Sequence, residues 1–536
     1  MDVQPTPTRA AAHSFAGQAE KARSVPSKRT IVIVGAGFSG TAVAINLLRL
    51  PQPGPLHLVL IDAGQIARGV AYASENNPHL LNVPAGRMSA SSADPLEFLS
   101  FARRRLPDVT EDDFLPRRLY GDYLQSTLES ATRASAPHVR LDRIRGTVIA
   151  IERPLRAASV HVHLESGAMI AAQDVVLALG NPLPAALPGS ETLLGTGRYV
   201  ADPWKEASTF RPAETVLIVG TGHSMADVCL AGARAAKGRA VIHAISRHGL
   251  TPARQTNFRP ISADPRSREL LRAANVSLRR LVRTVRAFSQ DAELGGGDWR
   301  EVISAVRNVA PEIWQGLPFP DKKRFLRHVR CYWDVHRHRL PERVWTALNE
   351  LRRNGTLTIH AGRLLQLSPA GRKVRVTWRP RGESLQKVFL VDRVINCTGP
   401  DGNAHATRER LLRSLIAQGE AVADPLGLGL LTDDFGALVD ASGGVADNLH
   451  YIGPMLRATY WESTAVQELR VHAERLACRL TMAAGAARRM QPLRGTAKAQ
   501  VDPAGPAGTV AAFPERQHAV VAKSHGAAPH HGITVA

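Results

Sequence analysis

The pattern of hydrophobic and polar positions is clearest near the start of the chain, where an apolar run leads into a glycine turn. Residues 30–34 are continuously apolar or β-branched, as in a strand buried in a parallel sheet. The spacing Gly-x-Gly-x-x-Gly follows, and residues 41–48 then have a composition that favours a helix. A second apolar run, residues 56–61, ends in Asp62. This order predicts the strand, turn, helix and strand that begin a dinucleotide-binding fold.

Six residues of this turn are candidates for binding a pyrophosphate: Gly35, Ala36, Gly37, Phe38, Ser39 and Gly40. The first glycine permits the tight turn, the second lets the pyrophosphate approach the backbone, and the third allows helix and strand to pack closely. The phosphates would meet free N–H groups at the positive end of the helix. Asp62 follows the glycines by about 20 residues, a spacing that suits contact with ribose hydroxyl groups.

A second strand-turn-helix pattern begins at residues 215–219 and predicts another dinucleotide site. We predict that three residues of its turn bind NAD(P)H: Gly220, Gly222 and Ser224. Met225 stands where the third glycine would fall, and the small Ala226 is the candidate for close packing.

The strand predicted at residues 240–245 leads to Arg247 and not to the acidic residue that usually marks NADH binding. An arginine at this position suits the 2′-phosphate of NADPH. An arginine-rich chain also carries arginines on its surface without such a role, so NADH and NADPH both remain candidates.

Two dinucleotide units in one chain indicate one cofactor that stays bound and one that exchanges. A flavin is held through a full reaction cycle, whereas a nicotinamide leaves after giving up its hydride. We therefore predict FAD on the first unit, over which later segments can close, and NADH or NADPH on the second. Cys229, Cys331, Cys397 and Cys478 form no Cys-x-x-Cys pair, so O2 is the natural oxidant of the reduced flavin and no metal site is expected.

The fold class predicted is α/β, with two Rossmann-like dinucleotide-binding domains and a helical insertion. Residues 143–152 are predicted to be one strand, residues 264–353 a basic helical insertion, and residues 462–481 a helix. The predicted limits are a disordered tail at 1–28, the FAD-binding domain at 29–185 and 390–485, the NAD(P)H-binding domain at 186–389 and a second disordered tail at 486–536.

The chain has 536 residues, a net charge of +21 and a pI of about 10.6, so a nucleic-acid partner must be considered. The excess is mostly arginine spread along the chain, and we expect no such partner. Two stretches are more basic than the rest, residues 279–286 and 322–343, and the second also suits a helical face or a pocket for an anion. No apolar run approaches the roughly 20 residues of a membrane helix and no signal-peptide pattern is present, so a cytoplasmic protein without a membrane partner is expected. The oligomeric state is left open.

Seven motifs together resemble one known family: Gly35-Ala36-Gly37-Phe38-Ser39-Gly40, Gly69-Val70-Ala71-Tyr72, Leu81-Asn82-Val83-Pro84-Ala85, Gly220-Thr221-Gly222-His223-Ser224-Met225-Ala226-Asp227, Ser246-Arg247-His248-Gly249, Asn396-Cys397-Thr398-Gly399-Pro400 and Trp461-Glu462-Ser463-Thr464-Ala465. The family is that of the bacterial FAD/NAD(P)-binding flavoprotein monooxygenases, which include the xanthomonad-type FAD-dependent urate hydroxylase and an aspartate N-monooxygenase. The resemblance covers residues 30–480. It is distantly shared with ornithine N-hydroxylases and with Baeyer–Villiger monooxygenases, although the aromatic-Gly-x-Trp signature of the latter is missing.

The resemblance implies further flavin contacts at Asn82, whose loop would lie near the flavin ring, and at Gly453 and Pro454. Asn82 also suits a plain turn. The chemistry requires an electron-rich small molecule, and the basic composition favours an anionic one. Three loop arginines are candidates for an anion pocket, although surface positions are the commoner explanation: Arg87, Arg254 and Arg259.

The specific expectation is hydroxylation of urate to 5-hydroxyisourate, because urate is an electron-rich anion and the family includes a urate hydroxylase. Two alternatives remain open: N-hydroxylation of an amino acid or amine, and a flavin reductase that passes electrons to a protein partner. A regulatory protein without catalysis is disfavoured because both glycine turns are intact. The sequence predicts no particular catalytic residue.

Overall fold

The structure is a computed structural model that describes residues 28–73, 79–154, 159–204, 209–256 and 264–489. Arg259 and most of the two predicted tails lie outside these residues. The chain divides into two units, and the sheets and the site belong to the one that ends at Arg488. In these ranges, no helix combines the length and the apolar composition needed to cross a bilayer.

A six-stranded sheet is built around the predicted first strand, in the order β15-β16-β7-β1-β2-β3. Its strands are β1 (Arg29–Val34), β2 (Leu56–Asp62), β3 (Val139–Arg145), β7 (Asp174–Leu177), β15 (Ala437–Val439) and β16 (Val445–Tyr451). β1 lies between β2 and β7 and runs parallel to both, with Ile33 opposite Leu60 and Val176. Because β15 and β16 come from far along the chain, this sheet is discontinuous in sequence, as predicted.

The segment predicted as one strand at residues 143–152 is two strands, so this prediction was wrong. β3 pairs with β2, whereas β4 (Val148–Glu152) joins a separate antiparallel sheet with β5 (Val160–Leu164) and β6 (Met169–Ala172). The Gly146 N–H donates to the Asp62 carbonyl at 2.9 Å, and the chain leaves the first sheet directly afterwards. The apolar pattern continues across this turn and therefore concealed it.

A seven-stranded sheet forms the second dinucleotide unit, in the order β13-β12-β11-β10-β9-β14-β8. Its strands are β8 (Tyr199–Val200), β9 (Thr215–Val219), β10 (Val241–Ser246), β11 (Leu357–Ala370), β12 (Lys373–Pro380), β13 (Lys387–Val391) and β14 (Arg393–Asn396). β9 is flanked by β10 and β14, both parallel to it. β14 belongs to this sheet, although the predicted limit of the NAD(P)H-binding domain was residue 389.

The described residues contain fifteen α-helices: α1 (Phe38–Arg49), α2 (Gly69–Tyr72), α3 (Glu97–Arg103), α4 (Arg117–Ala134), α5 (His223–Ala235), α6 (Arg266–Val276), α7 (Leu278–Leu294), α8 (Trp299–Asn308), α9 (Ala310–Gly316), α10 (Phe319–Arg324), α11 (Arg330–Arg337), α12 (Glu342–Arg353), α13 (Arg410–Ala417), α14 (Arg457–Tyr460) and α15 (Val466–Arg489). Helices α6–α12 occupy the predicted insertion, with a π-helical turn at Phe325–Val329. α15 begins at Val466, later than the predicted 462, so residues 461–465 are an irregular segment.

The helical insertion packs against this irregular segment through aromatic side chains. The Trp461 ring lies 4.9 Å from the Trp314 ring and 4.8 Å from the Phe325 ring, measured between centroids. Trp461 has a φ of 58°, which is unusual for a bulky residue. A backbone strained in this way persists only where its surroundings hold it, and here the insertion provides that hold.

The third glycine of the first turn has no room for a side chain. A Cβ on Gly40 would lie 1.9 Å from the Gly35 carbonyl oxygen and 3.1 Å from Ile33 Cγ2. This is the close approach of helix and strand that the sequence predicted.

We expect Gly40→Ala to lower the free energy of unfolding by about 2–3 kcal/mol, because the added methyl group forces the turn away from α1. Gly316→Ala is a matched control, since its Cβ would be 3.7 Å from the nearest atom, Asn275 Oδ1. Urea unfolding of both variants checks the prediction. Equal stability of the two variants would contradict it.

Candidate functional site

The first glycine turn is held by backbone contacts that only glycine allows. Gly35 has a φ of 99°, and a Cβ there would lie 2.2 Å from the Ala178 carbonyl oxygen. Gly37 precedes α1, and no side chain caps that helix. The first-turn N–H groups therefore have no side-chain acceptor and suit a phosphate.

Asp62 lies beside this turn, at the carboxyl end of β2. Its Oδ2 accepts a hydrogen bond from the Ala36 N–H at 2.6 Å, and its Oδ1 accepts one from the Gly64 N–H at 2.7 Å. A carboxylate retains further lone pairs after two such bonds, so the predicted ribose contact is compatible with this role in shaping the turn. Phe38 and Ser39 are buried, and they can reach a dinucleotide through their backbone N–H groups.

The second glycine turn repeats the geometry of the first. Gly220 has a φ of 107°, and a Cβ there would lie 2.1 Å from the Cys397 carbonyl oxygen. Gly222 precedes α5, and no atom lies within 4 Å of the position its Cβ would take. Met225 and Ala226 are fully buried and fill the space beneath the turn. The exposed side of this turn is therefore open to a ligand.

The end of β10 is attached to this second turn. Thr221 Oγ1 donates to the Leu250 carbonyl at 2.5 Å and lies 2.8 Å from Ser246 Oγ. Arg247 follows β10 and is exposed, whereas Ser224 in the first turn of α5 is half-buried. Both positions are compatible with the predicted NADPH site, which stays a prediction.

Gly453 and Pro454 lie at the carboxyl end of β16, close to the first turn. The Ile452 N–H donates to the Leu177 carbonyl at 2.9 Å, so this loop begins beside β7. Gly453 has a φ of 144°, and Pro454 starts a short 3₁₀ turn. Since β7 also neighbours β1, the predicted flavin contacts share one edge of the sheet with the first glycine turn.

A cavity of about 250 Å³ is lined by residues that neighbour each of the two turns, although no residue of either turn is among those found to line it. On one side, Gly69 approaches so closely that its Cβ would be 2.9 Å from Gly37 Cα, and Tyr72, three residues later, lines the cavity. On the other side, His223 is the first residue of α5, and its Nε2 lies 3.1 Å from the carbonyl oxygen of His338, which also lines the cavity. Segments that contact each dinucleotide turn therefore line the same cavity.

Two residues singled out in the sequence line the cavity, Asn82 and Arg87. Thr464, in the irregular segment before α15, also lines it, although it was not a candidate. Arg254 does not line it, and its guanidinium instead pairs with Glu342 at 2.8 Å. A wider surface groove of about 840 Å³ lies beside α12 and the start of β11.

Four further arginines line the cavity and were missed as site residues: Arg117, Arg307, Arg337 and Arg339. Two of them fall in the basic and aromatic stretch at residues 322–343, for which an anion pocket was one of the explanations considered. For Arg117 and Arg307, the sequence offers no local signal. Their convergence depends on tertiary structure.

Arg117 connects the two dinucleotide units. Its Nη2 donates to Asp227 Oδ2 at 2.8 Å, and its Nε donates to the Leu80 carbonyl at 3.1 Å. His79 Nδ1 lies 3.5 Å from the same carboxylate. Because Asp227 is on α5, this ion pair fixes the second turn against α4.

A buried charge network fixes the helical insertion against the start of α15. Arg337 Nε lies 3.2 Å from Glu462 Oε2, Trp333 Nε1 donates to Glu462 Oε1 at 2.9 Å, and Arg307 Nε donates to Glu468 Oε1 at 2.9 Å. Burial alone would raise the pKa of Glu462, but Arg337 together with the other neighbouring donors and cations outweighs it, and the pKa lies below its usual value. This part of the cavity wall is thus made of paired, ionised groups.

The two histidines at this wall are neutral. Burial and the neighbouring Arg337 lower the pKa of His338 to about 3. Burial also lowers the pKa of His223. The positive charge of the cavity therefore comes from its arginines.

Comparisons with known proteins agree with this architecture. Residues 32–182 match the family model described as FAD-NAD(P)-binding. No curated protein sequence matches the chain. Among solved structures, L-lysine 6-monooxygenase from Pseudomonas syringae is 17% identical with a TM-score of 0.58, covering 85% of this chain and 99% of that chain.

Two further structures show the same likeness. The ornithine N-hydroxylase of Kutzneria sp. 744, with reduced FAD, NADP⁺ and L-ornithine, is 15% identical with a TM-score of 0.57, covering 86% of this chain and 100% of that one. The FAD-bound cadaverine monooxygenase of Erwinia amylovora is 14% identical with a TM-score of 0.54, covering 90% and 99%. The chain therefore has the α/β fold of FAD- and NAD(P)-binding flavoproteins, with Rossmann-type domains.

We expect Glu462→Gln to lower the free energy of unfolding by about 3 kcal/mol at neutral pH, because Arg337 is left buried without its nearest charge partner. The folded-state pKa of Glu462 is depressed, so its stabilisation is present above the unfolded pKa and is lost as the pH falls through the folded pKa. The difference between wild type and variant should therefore shrink in acid. Urea unfolding across this pH range measures it.

Glu383→Gln is the matched control for this prediction. Glu383 pairs with Lys387 at 3.1 Å, but both side chains are exposed. Its loss should change stability by less than about 0.5 kcal/mol. If Glu462→Gln behaves like this control at neutral pH, the buried network does not hold the insertion.

Proposed function

We propose that the chain is an FAD-dependent monooxygenase that uses NADPH and O2 to hydroxylate the nitrogen of a small amine. The observation that carries this proposal is a cavity lined by neighbours of both dinucleotide turns, with Tyr72 on one side and His338 on the other. A hydride donor and a hydride acceptor must meet at one point, and this arrangement supports such a meeting.

We assign FAD to the first turn, with Gly35, Gly37, Asp62, Asn82 and Gly453 among its contacts. The open face before α1 and the absence of a capping side chain fit a pyrophosphate. The FAD-binding domain would then comprise residues 29–185 and 397–485. When bound, FAD would accept a hydride from NADPH and activate O2 for transfer of one oxygen atom.

We assign NADPH to the second turn, where Gly220 and Gly222 expose the start of α5. The space around Gly222 would accept the phosphates, and Arg247 would meet the 2′-phosphate. The residues between about 186 and 396 would form this domain. The fold shared with an ornithine N-hydroxylase that holds reduced FAD and NADP⁺ supports the pairing of cofactors.

An amine substrate is supported over the two other activities considered. The solved structures of similar fold are enzymes of ornithine, lysine and cadaverine, whereas none of those compared supports urate. A reductase that passes electrons through thiols lacks support, because no cysteine is among the residues found to line the cavity. Burial raises the pKa of Cys229 and of Cys397, so both stay as thiols.

The arginines of the cavity suit this chemistry in a further way. Electrophilic oxygen transfer requires an amine with a free lone pair, and nearby positive charge disfavours the protonated ammonium form. We therefore propose that the surplus of guanidinium groups over carboxylates at the cavity wall keeps the amine neutral. The same surplus of positive charge favours a substrate that also carries an acidic group.

The proposal is tested with purified holoprotein and a panel of L-lysine, L-ornithine, L-aspartate, cadaverine, putrescine and urate. An amine should stimulate NADPH oxidation and O2 uptake and yield a hydroxylamine, and heat should release FAD and not FMN. Disappearance of urate absorbance coupled to NADPH oxidation would favour the urate expectation instead. Reduction of a protein acceptor without O2 uptake would favour the reductase.

We expect Arg247→Ala to raise the KM for NADPH by about 10- to 100-fold and to leave the KM for NADH within about 3-fold, since the loss of a charged hydrogen bond to phosphate costs about 1.5–3 kcal/mol. Initial rates with each coenzyme measure this. FAD content serves as the control, because the first turn is unaffected. Equal changes in the KM for both coenzymes would show that Arg247 does not bind the 2′-phosphate.

A further inference from the structure

The positive charges of the cavity differ in whether they have a partner. Arg117 pairs with Asp227, Arg307 with Glu468, and the buried Arg337 with Glu462. Each of these guanidinium groups is therefore neutralised within the protein.

Arg339 is also engaged. Its Nε donates to Gln255 Oε1 at 2.5 Å, and its Nη1 donates to the His336 carbonyl at 2.9 Å. These acceptors are uncharged but they orient the guanidinium. Its position is consequently set by Gln255, which precedes the insertion, and by α11 within it.

Arg87 is the exception. Among the residues that the structure describes, its half-buried guanidinium has no hydrogen-bonded acceptor and no ion pair. The carboxylate of the exposed Asp112 acts on it from beyond ion-pair distance. Burial and the nearby Arg307 lower the pKa of Arg87, which shows that its charge is poorly compensated.

The backbone at Arg87 is held in place. It ends a 3₁₀ turn, Ala85–Arg87, whose Ala85 N–H donates to the Asp113 carbonyl at 2.8 Å and whose Gly86 N–H donates to the Glu111 carbonyl at 2.9 Å. A Cβ on Gly86 would lie 2.9 Å from Glu111 Cβ, so the turn sits tightly against residues 111–113. An uncompensated cation on a fixed backbone is a preorganised site for an anion.

We propose that Arg87 binds a carboxylate of the substrate and thereby makes the enzyme select amino acids over the corresponding amines. This inference rests on the proposed function and assigns the substrate's acidic group to one residue. A guanidinium binds a carboxylate through two parallel hydrogen bonds, which fixes the orientation of the ligand as well as its charge. The amine at the other end of the substrate is then held at a defined distance from Arg87.

A phosphate of NADPH has the same chemistry as a carboxylate for this guanidinium. The two sources differ in which ligand is weakened when Arg87 changes. The test therefore measures amino-acid binding and coenzyme kinetics on the same variants.

The experiment compares two pairs of probes that differ only in one carboxylate: L-ornithine with putrescine, and L-lysine with cadaverine. Calorimetric titration of the FAD-loaded wild type should give at least about 10-fold tighter binding for each amino acid than for its diamine. Arg87→Gln should weaken the amino acids by about 10- to 100-fold and leave the diamines within about 3-fold. Arg87→Lys keeps the charge but loses the planar guanidinium, so its affinity for the amino acids should lie between those of wild type and Arg87→Gln.

Arg375→Gln is the matched control, because Arg375 is exposed on β12 and is not among the residues found to line the cavity. It should leave all four affinities unchanged, and bound FAD should be equal in every variant, which excludes misfolding. Equal binding of amino acid and diamine by wild type would overturn the inference, as would failure of both amino acids to bind. A rise in the KM for NADPH with unchanged amino-acid affinity would assign Arg87 to the coenzyme and also overturn it.

Failure of this inference and failure of the proposed function have different signatures. If the amino acids bind through Arg87 but yield no hydroxylamine with NADPH and O2, the carboxylate site stands and N-hydroxylation fails. If diamines and amino acids are hydroxylated equally by wild type and by Arg87→Gln, N-hydroxylation stands and the carboxylate site fails.

Discussion

The structure depends on one steric constraint that occurs twice. In each sheet, the turn after the central strand passes so close to the end of a neighbouring strand that a side chain would overlap a carbonyl oxygen, Ala178 at Gly35 and Cys397 at Gly220. The hydrogen bonds around the two turns also correspond, since Gly35 donates to the Ile61 carbonyl and Gly220 to the Ile245 carbonyl. This constraint opens the start of a helix at the edge of each sheet, where a dinucleotide can bind.

Ion pairs, and not apolar packing alone, fix the positions of the side chains that form the cavity. Arg117 joins α4 to α5 through Asp227, and Glu462 and Glu468 hold the insertion through Arg337 and Arg307. Such buried pairs add little net stability over apolar contacts, but each leaves an unpaired charge if one member is lost. The ion pairs therefore fix the positions of the cavity walls. Arg87 takes part in none of them, so its charge is uncompensated.

The parts of the molecule that local rules govern could be predicted from the sequence. Both glycine turns and Asp62 beside the first follow from strand, turn and helix patterns that extend over a few residues. The discontinuity of the first unit was inferred from the second dinucleotide unit that interrupts it. The cavity could not be predicted in this way, because Arg117 and Arg307 lie on different helices and converge only in the folded chain. The break at Gly146 and the late start of α15 were missed for a related reason. Tertiary contacts, not local composition, determine where β3 ends and where α15 begins.

The pairing of β16 with β7 has a consequence for synthesis of the chain. β7 ends at Leu177, but its neighbour β16 begins only at Val445, so the first sheet keeps an open edge until that segment leaves the ribosome. At roughly 5–20 residues per second, this delay lasts on the order of tens of seconds. The whole seven-stranded sheet, from β8 to β14, emerges in the meantime. The unit that begins first along the chain is therefore the last to complete its core, and until then its first sheet has an unpaired edge at β7.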